Sequence, residues 1–189
     1  PITVSITLII LIAMCVEMLV RPSSRGSFFY HEIRISQGNP FQLFKFRIFK
    51  KEALHNAANG NAIVQTKRLE HTKGSMTFVG KILKQIYLDE LPQLWNILKG
   101  DMSLVGPRPT NKEKYEKGIQ EGRKAKLILK AGLTGYFQSH KGLALAKNQE
   151  TLDVEYANFI ASSSGLSIML YDTKILLISI LTIFRAEGI

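Results

Sequence analysis

With 189 residues, 46% of them hydrophobic and 21% charged, the chain has room for one compact domain with an appendage, which excludes two large domains. Lys and Arg outnumber Asp and Glu by 25 to 15, and the formal charge of +10 suits an anionic partner: substrate phosphates, anionic lipid headgroups or nucleic acid. The lone cysteine, Cys15, rules out an intramolecular disulfide and fits a domain facing the cytoplasm.

Residues 2–20 are apolar almost throughout, with Glu17 the one charged side chain. As a helix the run would be about 28 Å long at ~1.5 Å per residue, close to a bilayer core of about 30 Å. No small-residue cleavage pattern follows, and Arg21-Pro22 ends the run, which argues against a cleaved signal peptide. A buried core helix has the same hydropathy, and hydropathy does not separate a spanning helix from a re-entrant one. Positive charge C-terminal to the run favours the remainder on the cytoplasmic face of the membrane. The expected division is a membrane-anchoring helix over 1–22 and a cytoplasmic domain over 23–189. The chain opens on Pro1 rather than Met, which leaves room for preceding sequence.

Two strands are predicted over 27–35 and 41–49. In the second, Phe44, Phe46 and Ile48 alternate with Lys45 and Arg47, a period of two. Gln37-Gly38-Asn39-Pro40 between them is turn chemistry, so the pair reads as a hairpin. The polar stretch 51–75 predicts a loop or a short helix that Asn59-Gly60 closes. Leu91, Leu94, Trp95 and Leu98 have helical spacing, and Gly100 is a natural stop. Residues 111–130, rich in Lys and Glu, predict solvated helix, and 132–142 a glycine-rich loop. In 166–184 the sequence is apolar again, but Asp172 and Lys174 interrupt it. Its longest clean stretch, 175–184, is too short to cross a membrane and predicts an interfacial amphipathic helix. The fold class is α/β: an N-terminal membrane helix, a small β-hairpin, and amphipathic helices forming a catalytic domain on the membrane surface.

The densest cluster of chemistry lies at 87–109. Asp89 and Glu90 are adjacent carboxylates ahead of a helix whose first turn holds Pro92, which puts Asp89 near the N-cap. Ionised there, the pair can hold Mg²⁺ while one member attacks phosphorus. Taken alone, the same residues are equally a helix cap beside a solvated acid. Gly106-Pro107-Arg108-Pro109 is a stiff turn presenting one guanidinium, which suits bidentate phosphate contact and also describes an ordinary loop arginine. Gly132-Leu133-Thr134-Gly135, with Gln138 and Lys141 beyond, permits close backbone approach but lacks phosphate-loop spacing. His31, His55, His71 and His140 show no metal-ligand spacing.

The run LDELPQLWNILKGDMSLVGPRP, 88–109, closely resembles the bacterial sugar transferase family, small monotopic phosphoglycosyl transferases that start glycan assembly on undecaprenyl phosphate. The likeness continues in TFVGKILK at 77–84, in Phe44-Lys45-Phe46-Arg47, in Gly132–Gly135, in Asp153, Glu155 and Tyr156, and in Asp172-Thr173-Lys174-Ile175. It thus covers nearly the whole chain. It implies a ping-pong transfer in which Asp89 attacks the β-phosphorus of a UDP-sugar, expels UMP, and carries the phosphosugar until the lipid phosphate displaces it. Glu90 would help to place Mg²⁺. Arg108, between Pro107 and Pro109, would bind phosphate or nucleotide. The resemblance also implies a re-entrant anchor over 2–20, with Pro1 as its kink.

Lys84 stands where the family has arginine, and Ser139-His140-Lys141 replaces an Asn-Gly-Arg-like sequence; both lysines keep the charge without the planar fork. Ile48-Phe49 and Lys130-Ala131 also depart from the pattern. These changes allow an unusual sugar, or a catalytically inactive member of the family. A membrane-bound basic module that binds anionic lipid without catalysis is the other alternative, but it leaves the acid pair and the rigid arginine turn unexplained. No basic–aromatic nucleic-acid motif appears. The expected partners are therefore a UDP-sugar, undecaprenyl phosphate and the bacterial cytoplasmic membrane, without nucleic acid.

Overall fold

The apolar N-terminal run folds as helix α1 (Ile2–Val20), closed by a 3₁₀ turn at Pro22–Ser24. Strands β1 (Phe29–Ser36) and β2 (Asn39–Phe46) form an antiparallel hairpin. Then come α2 (Lys51–Ala58), α3 (Thr66–His71), α4 (Phe78–Gln85), a 3₁₀ turn at Leu88–Glu90, α5 (Gln93–Leu98), β3 (Ser103–Val105) and α6 (Lys112–Gln120). The chain ends in α7 (Ala125–Ile128), β4 (Gly132–Thr134), α8 (Tyr136–Ser139), α9 (Gln149–Ser162) and α10 (Gly165–Phe184). The computed structural model describes residues 2–58, 66–139 and 148–184. The mixed α/β layout with an apolar N-terminal helix and a small hairpin is as expected.

Local boundaries differ from the sequence reading in ways that backbone chemistry explains. The hairpin turn is only Gln37-Gly38, both in the left-handed region at φ 48 and 81, as a two-residue type I′ turn requires. Asn39 and Pro40 therefore begin β2 rather than extend the turn. The stretch 51–75 holds two helices, because Leu54, Ala57 and Leu69 find apolar partners that the local composition does not reveal.

Two compact units make up the chain, one from 1–30 with 45–92 and the other from 31–44 with 93–189. The core of the first contains Ile10 and Met14 of α1, Phe46, Ile48, Phe49, Leu69 and Leu83. Ile10, Met14 and Glu17 are the buried stripe of α1, while Ile2, Val4, Leu8, Ile9, Ile12, Val16 and Cys15 are exposed. By length and composition α1 is apolar enough to cross a membrane.

Glu17 explains its own presence in that run. Its Oε1 accepts from the Phe78 N–H at 2.6 Å and from the Ser24 hydroxyl at 2.7 Å, and its Oε2 accepts from the Val79 N–H at 2.8 Å. Thr77 caps the next donor, Gly80 N–H, at 2.9 Å. The first turn of α4, which would otherwise bury unsatisfied amides, is thereby filled by one carboxylate and one hydroxyl. Gly80 is required by close approach: a Cβ there would lie 2.3 Å from the Ile48 carbonyl. Arg47 is also buried, against the period-two reading. Its guanidinium donates to the carbonyls of Ser27, Phe49 and Ser24 at 2.5, 2.6 and 2.7 Å.

In the second unit β3 and β4 pair in parallel, Ser103 opposite Gly132 and Val105 opposite Thr134. One core cluster joins Phe41, Leu43, Met102 and Ala131; another joins Val105, Leu129, Tyr156 and Ile175. Helix α5 presents its faces the other way from the apolar spacing. Asn96 is 0% exposed, whereas Trp95 and Leu98 are 60% and 80% exposed. Asn96 accepts from the Phe44 N–H at 3.1 Å and donates to the Gln42 carbonyl at 2.6 Å, a pair of main-chain bonds that turns this face of the short helix inward. Gly100, at φ 81, ends the helix as expected.

The C-terminal segment corrects the expectation that it is too short to cross a membrane. It is one helix, α10, whose span 165–182 is long and apolar enough by length and composition. Asp172 does not interrupt it, because the Tyr156 hydroxyl donates to that carboxylate at 2.6 Å. The packed side of α10 carries Ile175, Ser179 and Thr182; Ser179 meets the Thr134 hydroxyl at 2.7 Å and Thr182 donates to the Ser139 carbonyl at 3.0 Å.

Candidate active site

Helix α4 delivers the acidic pair. After it the chain reverses through Tyr87, a non-glycine residue at φ 57, a conformation that costs on the order of 1–3 kcal/mol and persists only where the surroundings enforce it. The enforcement comes from Leu88 and Leu91, three residues apart across the 3₁₀ turn, both packed on the core of the first unit. Between these two anchors Asp89 points inward, 1% exposed. It is a buried member of a 3₁₀ turn, not the N-cap residue expected from the sequence.

Charges of both signs surround it. Lys84 Nζ lies 4.0 Å from Asp89 Oδ2 and 3.3 Å from Glu70 Oε1, while Lys45 Nζ donates to Glu90 Oε1 at 3.3 Å. Asp89 Oδ1 is buried without a hydrogen-bond partner. Burial pushes the Asp89 carboxyl up to about 6; the Lys84 and Lys45 charges pull it back, while Glu90 and Glu70 push it further. Burial opposes the charge of Lys84, yet Asp89, Glu70 and Glu90 outweigh it and hold that ammonium above the ordinary lysine value.

The second unit carries the arginine turn. Gly106 and Gly132 meet backbone to backbone: a Cβ on Gly106 would lie 2.3 Å from the Lys130 carbonyl, and one on Gly132 would lie 2.2 Å from Gly106 N. The Gly106 N–H donates to the Thr134 carbonyl at 2.9 Å, and the Gly132 N–H to the Pro107 carbonyl at 3.0 Å. Pro107 is buried, Arg108 and Pro109 half-buried, and the Ile35 N–H donates to Thr110 at 2.9 Å just beyond. Lys126 Nζ donates to the Arg108 carbonyl at 3.3 Å. The turn is thus fixed by main-chain bonds at both ends, with the arginine side chain as its variable part.

Of the residues singled out in the sequence, Asp89, Glu90 and Lys84 come together in the first unit, and Pro107, Arg108 and Pro109 form one turn of the second. Lys141 and His140 lie outside the described residues. Sequence reasoning missed Glu70, for which no local signal exists, and the pairing of Lys45 with Glu90, for which the Phe44–Arg47 motif was the available pointer.

The profile of the bacterial sugar transferase family matches residues 2–186. The galactosyl transferase CpsE of Streptococcus agalactiae serotype III (strain NEM316) is 32% identical over 183 residues, 89% of this chain and 39% of that protein. The uncharacterized sugar transferase EpsL of Bacillus subtilis (strain 168) is 33% identical over 173 residues, 90% of this chain and 77% of EpsL. A UDP-glucose:undecaprenyl-phosphate glucose-1-phosphate transferase of Klebsiella pneumoniae is 31% identical over 191 residues, 97% of this chain and 38% of the relative. The chain therefore spans well under half of the first and third relatives and about three quarters of the second. With a family profile running from one end to the other and an acidic turn and arginine turn built as described, this chain belongs to the bacterial sugar transferase family.

Proposed function

We propose that the protein transfers a sugar 1-phosphate from a UDP-sugar to undecaprenyl phosphate and releases UMP. The observation that carries the reading is Asp89: a carboxylate buried beside Lys84, with one oxygen free of any protein partner. An Asp89 oxygen attacks the β-phosphorus; the bond from that phosphorus to the oxygen bridging it to the α-phosphate breaks, and UMP leaves with the electron pair. The phosphosugar is then an acyl phosphate on Asp89. An oxygen of the lipid phosphate attacks the same phosphorus, the carboxylate leaves, and the product is a lipid-linked diphosphosugar. Lys84 keeps Asp89 ionised against its burial, and Arg108 binds phosphate or nucleotide through its guanidinium.

The acid pair also fits Mg²⁺. This cation is commonly held by one or two carboxylates together with substrate phosphates, and no group of three or more candidate ligands exists among the described residues. The unpartnered Asp89 Oδ1 and the carboxylate of Glu90 are the donors that would hold it. When bound, the ion supplies positive charge against the phosphates. α1 seats the protein in the cytoplasmic membrane, with the acid turn on the cytoplasmic face, where nucleotide-sugars are found.

The test is UMP release by the purified chain in nanodiscs, given Mg²⁺, undecaprenyl phosphate and UDP-sugars that include glucose and galactose donors. Release that EDTA and Asp89→Asn both abolish supports the reading. Silence across the panel from folded protein would favour an inactive member of the family, and release that survives Asp89→Asn refutes the mechanism.

A further inference from the structure

Beside the arginine turn lies a set of charges that the transfer as described does not use. Lys126 of α7 is half-buried and donates to the Arg108 carbonyl. That carbonyl belongs to the peptide joining Arg108 to Pro109, which has no N–H, so it is the only hydrogen-bonding group with which the fold can orient the peptide. The residue before a proline is confined to extended backbone, and fixing the carbonyl therefore fixes the direction in which the Arg108 side chain leaves.

A lysine half-buried for one main-chain carbonyl needs a reason to remain charged. Burial and the neighbouring Arg123 and Lys114 disfavour its ammonium; Asp153 and, less strongly, Glu150 favour it. Asp153 is 5% exposed and sits on α9, which packs against α7. Its own carboxyl is pushed up to about 6 by burial, with Lys126 pulling it back and Glu150 pushing it further. Glu150 is taken up by Arg123 at 3.5 Å, which leaves Asp153 as the main counter-charge of Lys126.

We propose that Lys126 and Asp153 are positioning residues for the arginine turn: Asp153 holds the Lys126 ammonium, which holds the Arg108 main chain, so that the guanidinium meets the phosphates of the nucleotide-sugar. The inference rests on the phosphate-binding role of Arg108 given above. It assigns a task to residues that touch no substrate, and it makes α9 part of the donor-binding apparatus.

The experiment is a double-mutant cycle on UMP release, using the full chain in nanodiscs. Lys126→Met is expected to lower kcat/KM about 10- to 100-fold, mainly through a higher KM for the UDP-sugar, because a small misplacement of a binding group has effects of this size. Asp153→Asn is expected to do the same, and Lys126→Arg to restore most of the loss. In an Arg108→Ala background, Lys126→Met is expected to change kcat/KM by less than about threefold, since residues acting through one another do not add. Losses that add in the double variant, or that fall on kcat with KM unchanged, overturn the inference. If Arg108→Ala is itself without effect, the phosphate role of Arg108 has failed, which is a different result. Should Lys126→Met not fold, Asp153→Asn in the two backgrounds reads the same coupling.

Discussion

The acidic turn of the first unit and the arginine turn of the second each fix one charged group, and they do it with different materials. Asp89 is buried, and its surroundings are side-chain charges: Lys84 within 4.0 Å, with Glu70, Glu90 and Lys45 behind. Arg108 is half-buried, and its surroundings are main chain: two glycines in contact, two prolines and three carbonyl bonds. A buried carboxylate titrates, so neighbouring charges can tune it, and its strength as a nucleophile depends on them. A guanidinium does not titrate in the working range, so only its direction is left to set, and rigid backbone does that. Side-chain substitutions should therefore act on the acid turn through pH behaviour and on the arginine turn through binding.

The comparison can be broken most sharply at Asp89. Asp89→Asn is expected to reduce UMP release about 10⁴-fold or more, the scale seen when a covalent nucleophile is removed. The same substitution is expected to raise the melting temperature near neutral pH, measured in EDTA. The folded-state pKa of about 6 lies above the ordinary value of 3.8, so folding favours the protonated form. Stability from this group is therefore greatest below about 3.8 and is lost as pH rises through 6; the buried charge costs stability at pH 7, and Asn removes that cost. An inactive variant that is also less stable would mean that Asp89 is structural.

Next in size, Arg108→Ala should lower kcat/KM about 10²- to 10³-fold, as expected for loss of a donor to developing phosphate charge. Its pH profile should keep the wild-type shape. In steady-state kinetics, a moved acid limb would show that the two turns are not independent in chemistry. A smaller effect is expected from Gly80→Ala, which forces a methyl group against the Ile48 carbonyl and should cost about 1–3 kcal/mol in thermal unfolding. The smallest concerns the acid limb itself: kcat/KM of the wild type should fall below pH about 6 as Asp89 takes up its proton. In Lys84→Met that limb should move to higher pH, since the charge that favours ionisation is gone, whereas Lys84→Arg should leave it nearly in place.

The elements most legible in the sequence were those defined by local chemistry. The apolar helix, the hairpin and the Gly100 stop follow from runs and turn residues that act within a few positions of themselves. The acid pair and the arginine turn were legible as a motif, and the motif also carried the family. Polar side chains turned inward were not legible. Arg47, Asn96 and Glu17 each read as surface or as an interruption, yet each is buried by main-chain groups far away in sequence: Ser24 and Ser27 for Arg47, Gln42 and Phe44 for Asn96, Phe78 and Val79 for Glu17. Hydrophobic periodicity scores a residue by its own polarity and cannot see a partner supplied by the fold. Asp172 was misread for the same reason, since Tyr156 meets its charge and lets α10 run on unbroken.

Glu17 and Cys15 lie two positions apart on α1, hence on nearly opposite sides of the helix: the carboxylate is locked onto the first turn of α4, and the thiol is exposed. The chain thus carries, without engineering, a single alkylatable atom at a fixed height above a known contact. A membrane-impermeant maleimide would label it at once in a detergent-free aqueous face, slowly or not at all when acyl chains cover it, and a quencher series along the lipid tails would read its depth directly.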